Sequence, residues 1–285
     1  MNRTIKTICP YCGVGCGILA NVADDGGTEI RGDPEHPANF GRLCSKGAAL
    51  GETLGHAERL LYPEIRGKRS DWNTALDTVA QGFARAIRDH GPESVAFYVS
   101  GQLLTEDYYV ANKLMKGFIG SANIDTNSRL CMASSVAGHV RAFGSDTVPG
   151  NYQDLELATL IILIGSNTAW CHPVLFQRIQ QAKKSNPDLK VVLIDPRRTA
   201  TGEMADLHLP VKPGSDAVLF NGLLVYLDDQ GDENTLFTGA HTEDGVAALA
   251  AARASAPTTA VAAGTCGLRE KDVTQFYKWF SANEK

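Results

Sequence analysis

No run of this sequence approaches the roughly 20 consecutive apolar residues that a bilayer-spanning helix needs, so no membrane partner is expected. No leader is expected either. The start, Met1 to Thr7, meets Cys9 before a secretory or twin-arginine signal could fit. An excess of basic residues is lacking: 27 Lys and Arg stand against 32 Asp and Glu, a net charge of -5. Nucleic-acid binders usually carry a basic surface, so no nucleic-acid partner is expected. An anionic substrate stays compatible, because local field matters more than net charge. There is no G-x-G-x-x-G, which argues against a nicotinamide cofactor. No Ser-His-Asp arrangement can be drawn from the sequence. His139, His172 and His208 lack the spacing of metal ligands and read as structural. Seven cysteines in 285 residues, four of them near the start, do not resemble a secreted disulfide scaffold. A reducing, cytoplasmic compartment is the expectation.

What is present begins with Cys9, Cys12, Cys16 and Cys44. Their spacing is C-x2-C-x3-C-x27-C, with Gly13, Gly15 and Gly17 interleaved. Thiolates are soft anionic ligands that suit zinc or an iron–sulfur cluster. Structural zinc sites usually pair two short knuckles. One knuckle here is extended by a third close cysteine, and the fourth stands alone. That pattern favours a [4Fe–4S] cluster over zinc, disulfides or packed thiols, and the four sulfur atoms are expected to converge on one small cavity.

The chain is long enough for one large core or two smaller ones. Its 44 % hydrophobic and 21 % charged residues are ordinary for a globular protein. Ile18 to Val22 and Thr28 to Arg31 read as short strands around Asp24-Asp25-Gly26-Gly27. Asp71 suits the N-cap of a helix with apolar residues at Trp72, Leu76, Val79, Phe83 and Ile87. Ser94 to Val99 reads as a strand and Glu106 to Ile119 as a helix. Ala158 to Ile164 is apolar on both faces, as a central parallel strand should be. A helix from Pro173 to Lys184, strands at Lys190 to Ile194 and Leu207 to Val211, and a helix opened by Gly214-Ser215-Asp216 follow. The alanine-rich stretch Val246 to Ala263 and the run Glu270 to Phe280 read as helices. The fold class is α/β: a small α+β cluster domain over residues 1–56, a partial α/β domain over 57–141, and a Rossmann-like parallel domain over 142–285.

Gly165-Ser166-Asn167 follows a strand and precedes a helix, where unpaired N–H groups favour a pyrophosphate. Asp195 closes the next strand and can accept hydrogen bonds from a guanine or ribose edge. Arg197 and Arg198 can complement phosphate. By themselves these residues also fit an ordinary α/β domain with turn glycines. Cys131, Cys171 and Cys266 read by themselves as packed thiols.

From Ile8 to Pro63 the chain resembles the N-terminus of the molybdopterin-dependent oxidoreductases, and within them the bacterial assimilatory nitrate reductases. The cysteine run and Gly32-Asp33-Pro34-Glu35-His36-Pro37-Ala38-Asn39-Phe40-Gly41-Arg42-Leu43-Cys44-Ser45-Lys46-Gly47 carry that likeness. The resemblance implies a [4Fe–4S] cluster on Cys9, Cys12, Cys16 and Cys44, and Lys46 between cluster and pterin. It implies molybdenum held by Cys131, at the entrance to a helix, and by two molybdopterin guanine dinucleotides. One of them is assigned to three loops: Ile164, Gly165, Ser166, Asn167, Thr168, Ala169, Trp170 and Cys171; Ile194, Asp195, Pro196, Arg197 and Arg198; and Gly214, Ser215 and Asp216. Gln102 and Asn127 match pterin-contacting positions. Met132 follows Cys131 where formate dehydrogenases have histidine, which favours nitrate over formate as substrate. The implied electron donor is a ferredoxin, a flavodoxin or a reductase subunit. Relatives of this kind are several hundred residues longer, so the chain is expected to be truncated, inactive alone, and open on the apolar faces of residues 57–141. Formate oxidation and a non-catalytic electron-transfer or cofactor-binding role are the alternatives.

Overall fold

The fold is described from a computed structural model that covers residues 3–57 and 59–283. Two compact units divide the chain, and they do not follow sequence order. One comprises Met1–Cys12, Ile18–Arg31 and Ser45–Pro149; the other comprises Gly13–Gly17, Gly32–Cys44 and Gly150–Lys285. Sequential boundaries near 56 and 141 do not coincide with this division, because two loops of the cysteine segment fold with the later residues.

In the first unit, strands β1 (Arg3–Ile8), β2 (Gly17–Val22) and β3 (Thr28–Gly32) form a sheet in that order. The β2–β3 turn closes with Ala23 N donating to Gly27 O at 2.8 Å, and Gly26 takes φ +85° there. Helix α1 (Trp72–His90) starts at Asp71, whose carboxylate accepts from Thr74 N at 2.9 Å. It stops at Gly91, φ +82°, the left-handed side that glycine reaches without strain. Strand β4 (Phe97–Val99) pairs in parallel with β5 (Ile124–Thr126). Between them, α2 (Thr105–Asn112) runs on as a π-helical segment, Lys113–Ile119, that ends at left-handed Gly120. Two short helices, α3 (Ser128–Cys131) and α4 (Ala133–Phe143), follow β5.

This unit leaves much of its apolar surface in solvent. Helix α1 buries no residue, and Trp72 is 63 % and Leu76 58 % exposed. Tyr98, Phe118 and Leu130 are each more than 70 % exposed. The expected open faces over residues 57–141 are therefore present.

The second unit is built on a parallel sheet, β6 (Leu160–Ile164), β7 (Lys190–Ile194) and β8 (Leu207–Leu209), in that order with β7 central. All of β7 from Val191 to Ile194 is buried. Alternate residues of a strand face opposite sides. Val191 packs with Ile161, Ile179, Ala182 and Leu189 under helix α6 (Pro173–Ser185), after the short α5 (Thr168–Cys171). Val192 and Ile194 face the other way. They meet Leu219 and Leu223 of α7 (Asp216–Gln230), Ala263 and Cys266, and Val273, Phe276 and Tyr277. Helices thus cover both faces, as the continuous apolar strands require.

The expected helix over Val246 to Ala263 is two helices, after a short α8 (Thr235–His241). They are α9 (Gly245–Ser255) and α10 (Thr259–Cys266), bent by 61°. Pro257 has no N–H to continue the first, and Thr258 caps the second by accepting from Val261 N at 3.2 Å. Together this bent pair is long and apolar enough to test as a broken membrane span, and no single described helix is. Ala252, Ala262, Ala263 and Cys266 of the pair are buried. The last helix, α11 (Glu270–Ser281), contributes Phe276 and Tyr277 to the core.

Candidate functional site

The cysteine residues fall in both units. Cys9 and Cys12 follow β1 in the first; Cys16 and Cys44 belong to loops of the second. None of the seven cysteines forms a disulfide. Cys16 is buried, while Cys9, Cys12 and Cys44 are partly exposed. Among the described residues, no group of three or more His, Cys, Asp or Glu side chains is gathered to hold one ion. The chemistry of the donor set nevertheless fits an iron–sulfur cluster: four unbridged thiols, with Gly13 and Gly15 leaving open space where side chains would stand.

Glycine is needed elsewhere in these loops for close packing. A Cβ on Gly17 would stand 2.3 Å from the His36 ring, and one on Gly32 would stand 2.1 Å from Gly41 O. Asn39, fully buried, joins the two loops. Its Oδ1 accepts from Gly17 N at 2.8 Å, and its Nδ2 donates to Gly17 O at 3.0 Å and Arg42 O at 2.8 Å. One side chain thereby ties the residue after Cys16 to a residue two before Cys44.

In the first unit, the loops after β4 and β5 lie at the same end, because the strands are parallel and Val99 pairs with Thr126. Ligands of open α/β sheets bind at such carboxyl ends. Asn127 Oδ1 accepts from Gly101 N at 3.1 Å, and Gln102 Nε2 donates to Tyr11 O, between Cys9 and Cys12. Cys131 N donates to Asn127 O at 3.3 Å. Gln102, Asn127 and Cys131 are thus linked to the first two cysteines through backbone. Cys131 is exposed, and it stands at the entrance to α4, as expected. Lys46 is exposed on the short helix Ser45–Ala48.

In the second unit, Ile164 pairs with Ile194, and Ile194 with Leu209. Ile164 to Cys171, Ile194 to Arg198 and Gly214 to Asp216 therefore leave one edge of one sheet. Gly165 (φ +56°) and Gly214 (φ +81°) meet no neighbour within 4 Å of a notional Cβ. The first loop is braced from inside. Thr201 Oγ1 donates to Asn167 Oδ1 at 3.0 Å and accepts from Ala169 N at 3.0 Å. Asp195 is buried, and its Oδ1 accepts from Arg197 N at 2.8 Å. Pro196, Arg197, Arg198 and Trp170 are exposed. Two buried polar atoms at this edge have no hydrogen-bond partner, His172 Nδ1 and Thr199 Oγ1. Orphaned polar atoms are rare in folded chains, and they suit a place where a polar cofactor adds partners.

Of the three cysteines read as packed thiols, only Cys266 is buried. Its Sγ donates to Ser215 O at 3.4 Å, and burial pushes the thiol up. Cys131 and Cys171 are exposed, which corrects that reading for both; each ends a four-residue helix with its side chain outside the core. His208 is structural as expected, its Nε2 lying 2.8 Å from Asp195 O. Sequence reasoning did not single out Asn39, Tyr152, Arg178, Thr199 or Thr201. The partners of Tyr152, Arg178 and Thr201 lie elsewhere in the chain, so no local motif marks these three.

The molybdopterin oxidoreductase Fe4S4 domain matches residues 2–56, and Molybdopterin oxidoreductase matches residues 59–281. The chain is 53 % identical over 284 residues to a nitrate reductase of Klebsiella oxytoca, covering 97 % of this chain and 31 % of that protein. It is 48 % identical to a nitrate reductase of Shewanella frigidimarina, covering 99 % and 31 %. A periplasmic nitrate reductase of Desulfovibrio desulfuricans is 43 % identical over 82 % of this chain and 32 % of its own length. The chain thus spans about a third of the length of these curated relatives. Among solved structures, acetylene hydratase from Pelobacter acetylenicus superposes with a TM-score of 0.85 at 24 % identity, over 98 % of this chain and 39 % of that one; this shows a shared fold. The parallel-sheet edges, the cysteine segment and these matches agree, and the chain belongs to the molybdopterin oxidoreductase family.

Proposed function

We propose that the whole protein reduces nitrate to nitrite, using two electrons and two protons and releasing water. The observation that carries this is the identity of 53 % and 48 % to proteins named nitrate reductases, across nearly all of this chain. Met132 beside Cys131 supports the same substrate class on the family resemblance. When bound, the metal centre supplies oxygen-atom transfer and the cluster supplies single electrons.

The chain's own residues divide the remaining work. Cys9, Cys12, Cys16 and Cys44 would hold the [4Fe–4S] cluster, and Cys131 the molybdenum. Lys46 would stand between cluster and pterin. The loops at 164–171, 194–198 and 214–216 would bind one molybdopterin guanine dinucleotide, its phosphates facing backbone N–H groups and Arg197 and Arg198. Gln102 and Asn127 would position a pterin. Thr201 keeps the first of these loops rigid through Asn167 and Ala169.

An assimilatory role, a cytoplasmic location and a ferredoxin, flavodoxin or reductase-subunit donor complete the proposal. Because the chain spans 31 % of its first relatives, it is expected to be inactive alone. The test is the whole protein, assayed anaerobically with reduced donor and nitrate, and separately with formate. Nitrate reduction without formate oxidation is expected. Cys131→Ala should abolish it while the EPR signal of the reduced cluster stays. Formate turnover without nitrate turnover would overturn the substrate, and full activity of Cys131→Ala with normal metal content would overturn the ligand.

A further inference from the structure

Arg178 lies on α6, far along the chain from the cysteine segment, and its side chain is only 1 % exposed. A buried guanidinium is costly unless its donors are satisfied. Its Nε and Nη2 donate to the two carboxylate oxygens of Glu156 at 2.7 and 2.9 Å. Its Nη1 donates to Pro37 O at 2.8 Å and Ala38 O at 3.2 Å. The Phe40 and Tyr152 rings lie 5.3 and 5.6 Å from the guanidinium carbon, within cation–π reach. Tyr152 continues the assembly. Its hydroxyl is 3.2 Å from Gly13 O and 3.0 Å from Val14 O, and donates between them.

The carbonyls reached by these two residues belong to the loops that carry Cys16 and Cys44. Neither loop is held by a strand ladder or helix. The second is also strained: Phe40 has φ +45°, a left-handed conformation unusual for an aromatic residue, and Gly41 follows at φ +78°. Such strain persists only where surrounding contacts over-determine the backbone. Arg178 supplies them just before the strained residue, through the Pro37 and Ala38 carbonyls, and at it, through the Phe40 ring. A buried ion pair gives little net stability against an apolar replacement. Its particular contribution here is geometric: one charged fork aims at two consecutive carbonyls of an irregular loop.

On the proposed ligation of an iron–sulfur cluster by these cysteines, we infer that Arg178 and Tyr152 are positioning residues for that cluster, fixing the Cys16 and Cys44 loops and keeping water from the ligand sulfurs. Outer partners of this kind tune affinity and redox potential. Loosening them without changing charge should admit water. Water favours the more negative reduced cluster, so the midpoint potential should rise.

The experiment uses the complete chain, reconstituted anaerobically with ferrous iron and sulfide, as wild type, Arg178→Lys, Tyr152→Phe and the control Arg253→Lys. Arg253 pairs with Asp228 and Asp229, away from these loops. Chelator stripping of the cluster should be roughly tenfold faster in Arg178→Lys. The midpoint potential should rise in both test variants and not in the control. Wild-type stripping rates and potentials in both, with normal far-UV circular dichroism, would overturn the inference and leave the cluster assignment standing. If Arg178→Lys does not fold, Tyr152→Phe decides by the same two readouts. Stoichiometric zinc without labile sulfide in the wild type would remove the cluster assignment itself, and this inference with it.

Discussion

At the residue scale, the loops around Cys16 and Cys44 depend on two glycines for which no other side chain has room. Gly32 is the sharper case, because the obstacle to a Cβ is the Gly41 carbonyl, 2.1 Å away, and a backbone atom cannot swing aside as a side chain can. Gly32→Ala should destabilise the fold by about 1–3 kcal/mol through overpacking. It should also lower the iron bound per chain after reconstitution, measured beside a thermal melt. Iron loading and melting temperature equal to wild type would show that the loop can yield. At Gly17 the obstacle is the His36 ring. A Gly17→Ala, His36→Ala pair should therefore recover most of what Gly17→Ala loses.

At the scale of elements, two contacts set the geometry of the parallel sheet unit. Helix α7 approaches its neighbours closely at Gly222, where a Cβ would lie 2.6 Å from Tyr277 Oη and 2.7 Å from Ala262 Cβ. Tyr277 is fully buried, donates to Leu219 O at 2.6 Å, and has its phenol pushed well up by burial. Gly222→Ala should cost about 1–3 kcal/mol in denaturant unfolding, and Tyr277→Phe about 1 kcal/mol for the hydrogen bond lost. The second contact is Asp206. Burial alone would raise its carboxyl, but the Lys183 ammonium and Val191 N–H outweigh burial and hold it below the usual range. A carboxyl lowered by folding stabilises above its unfolded value, about pH 4, and loses that effect as pH falls through the folded value. Asp206→Asn should therefore be less stable than wild type at neutral pH and approach it in acid. A constant difference from pH 7 to pH 3 would count against this account.

At the scale of the whole molecule, the open apolar surface of the first unit has a direct consequence. Trp72, Leu76 and Val79 lie along one side of α1, and all three are exposed. A typical monomer's largest apolar patch covers a few hundred Å². The chain by itself should bind a hydrophobic dye strongly and associate as concentration rises, by light scattering. A dispersed monomer with no dye response would show that this surface is closed in solution. The units also cut across sequence order: residues on either side of Cys12, and of Cys44, belong to different units.

The sequence by itself determined what depends on near neighbours. The spacing of Cys9, Cys12, Cys16 and Cys44 was legible in this way, and the family resemblance put Cys131 at a helix entrance. Also legible were the strands at 160–164 and 190–194 and the Asp71 cap, because periodicity, capping and ligand spacing act over a few residues. The first of these strands is nevertheless an edge strand with only Ile161 buried, not the central strand its apolar run suggested. The break at Pro257 between α9 and α10 was missed, because the alanine content suggested one helix. Only the tertiary structure decided which loops share a unit. It alone set Asn39 between Gly17 and Arg42, Thr201 against Asn167, and Arg178 on carbonyls some 140 residues earlier. Arg178 reads locally as one more basic residue on an amphipathic helix. Its burial and its four acceptors follow from distant segments packing together, and a single sequence carries no record of such pairs.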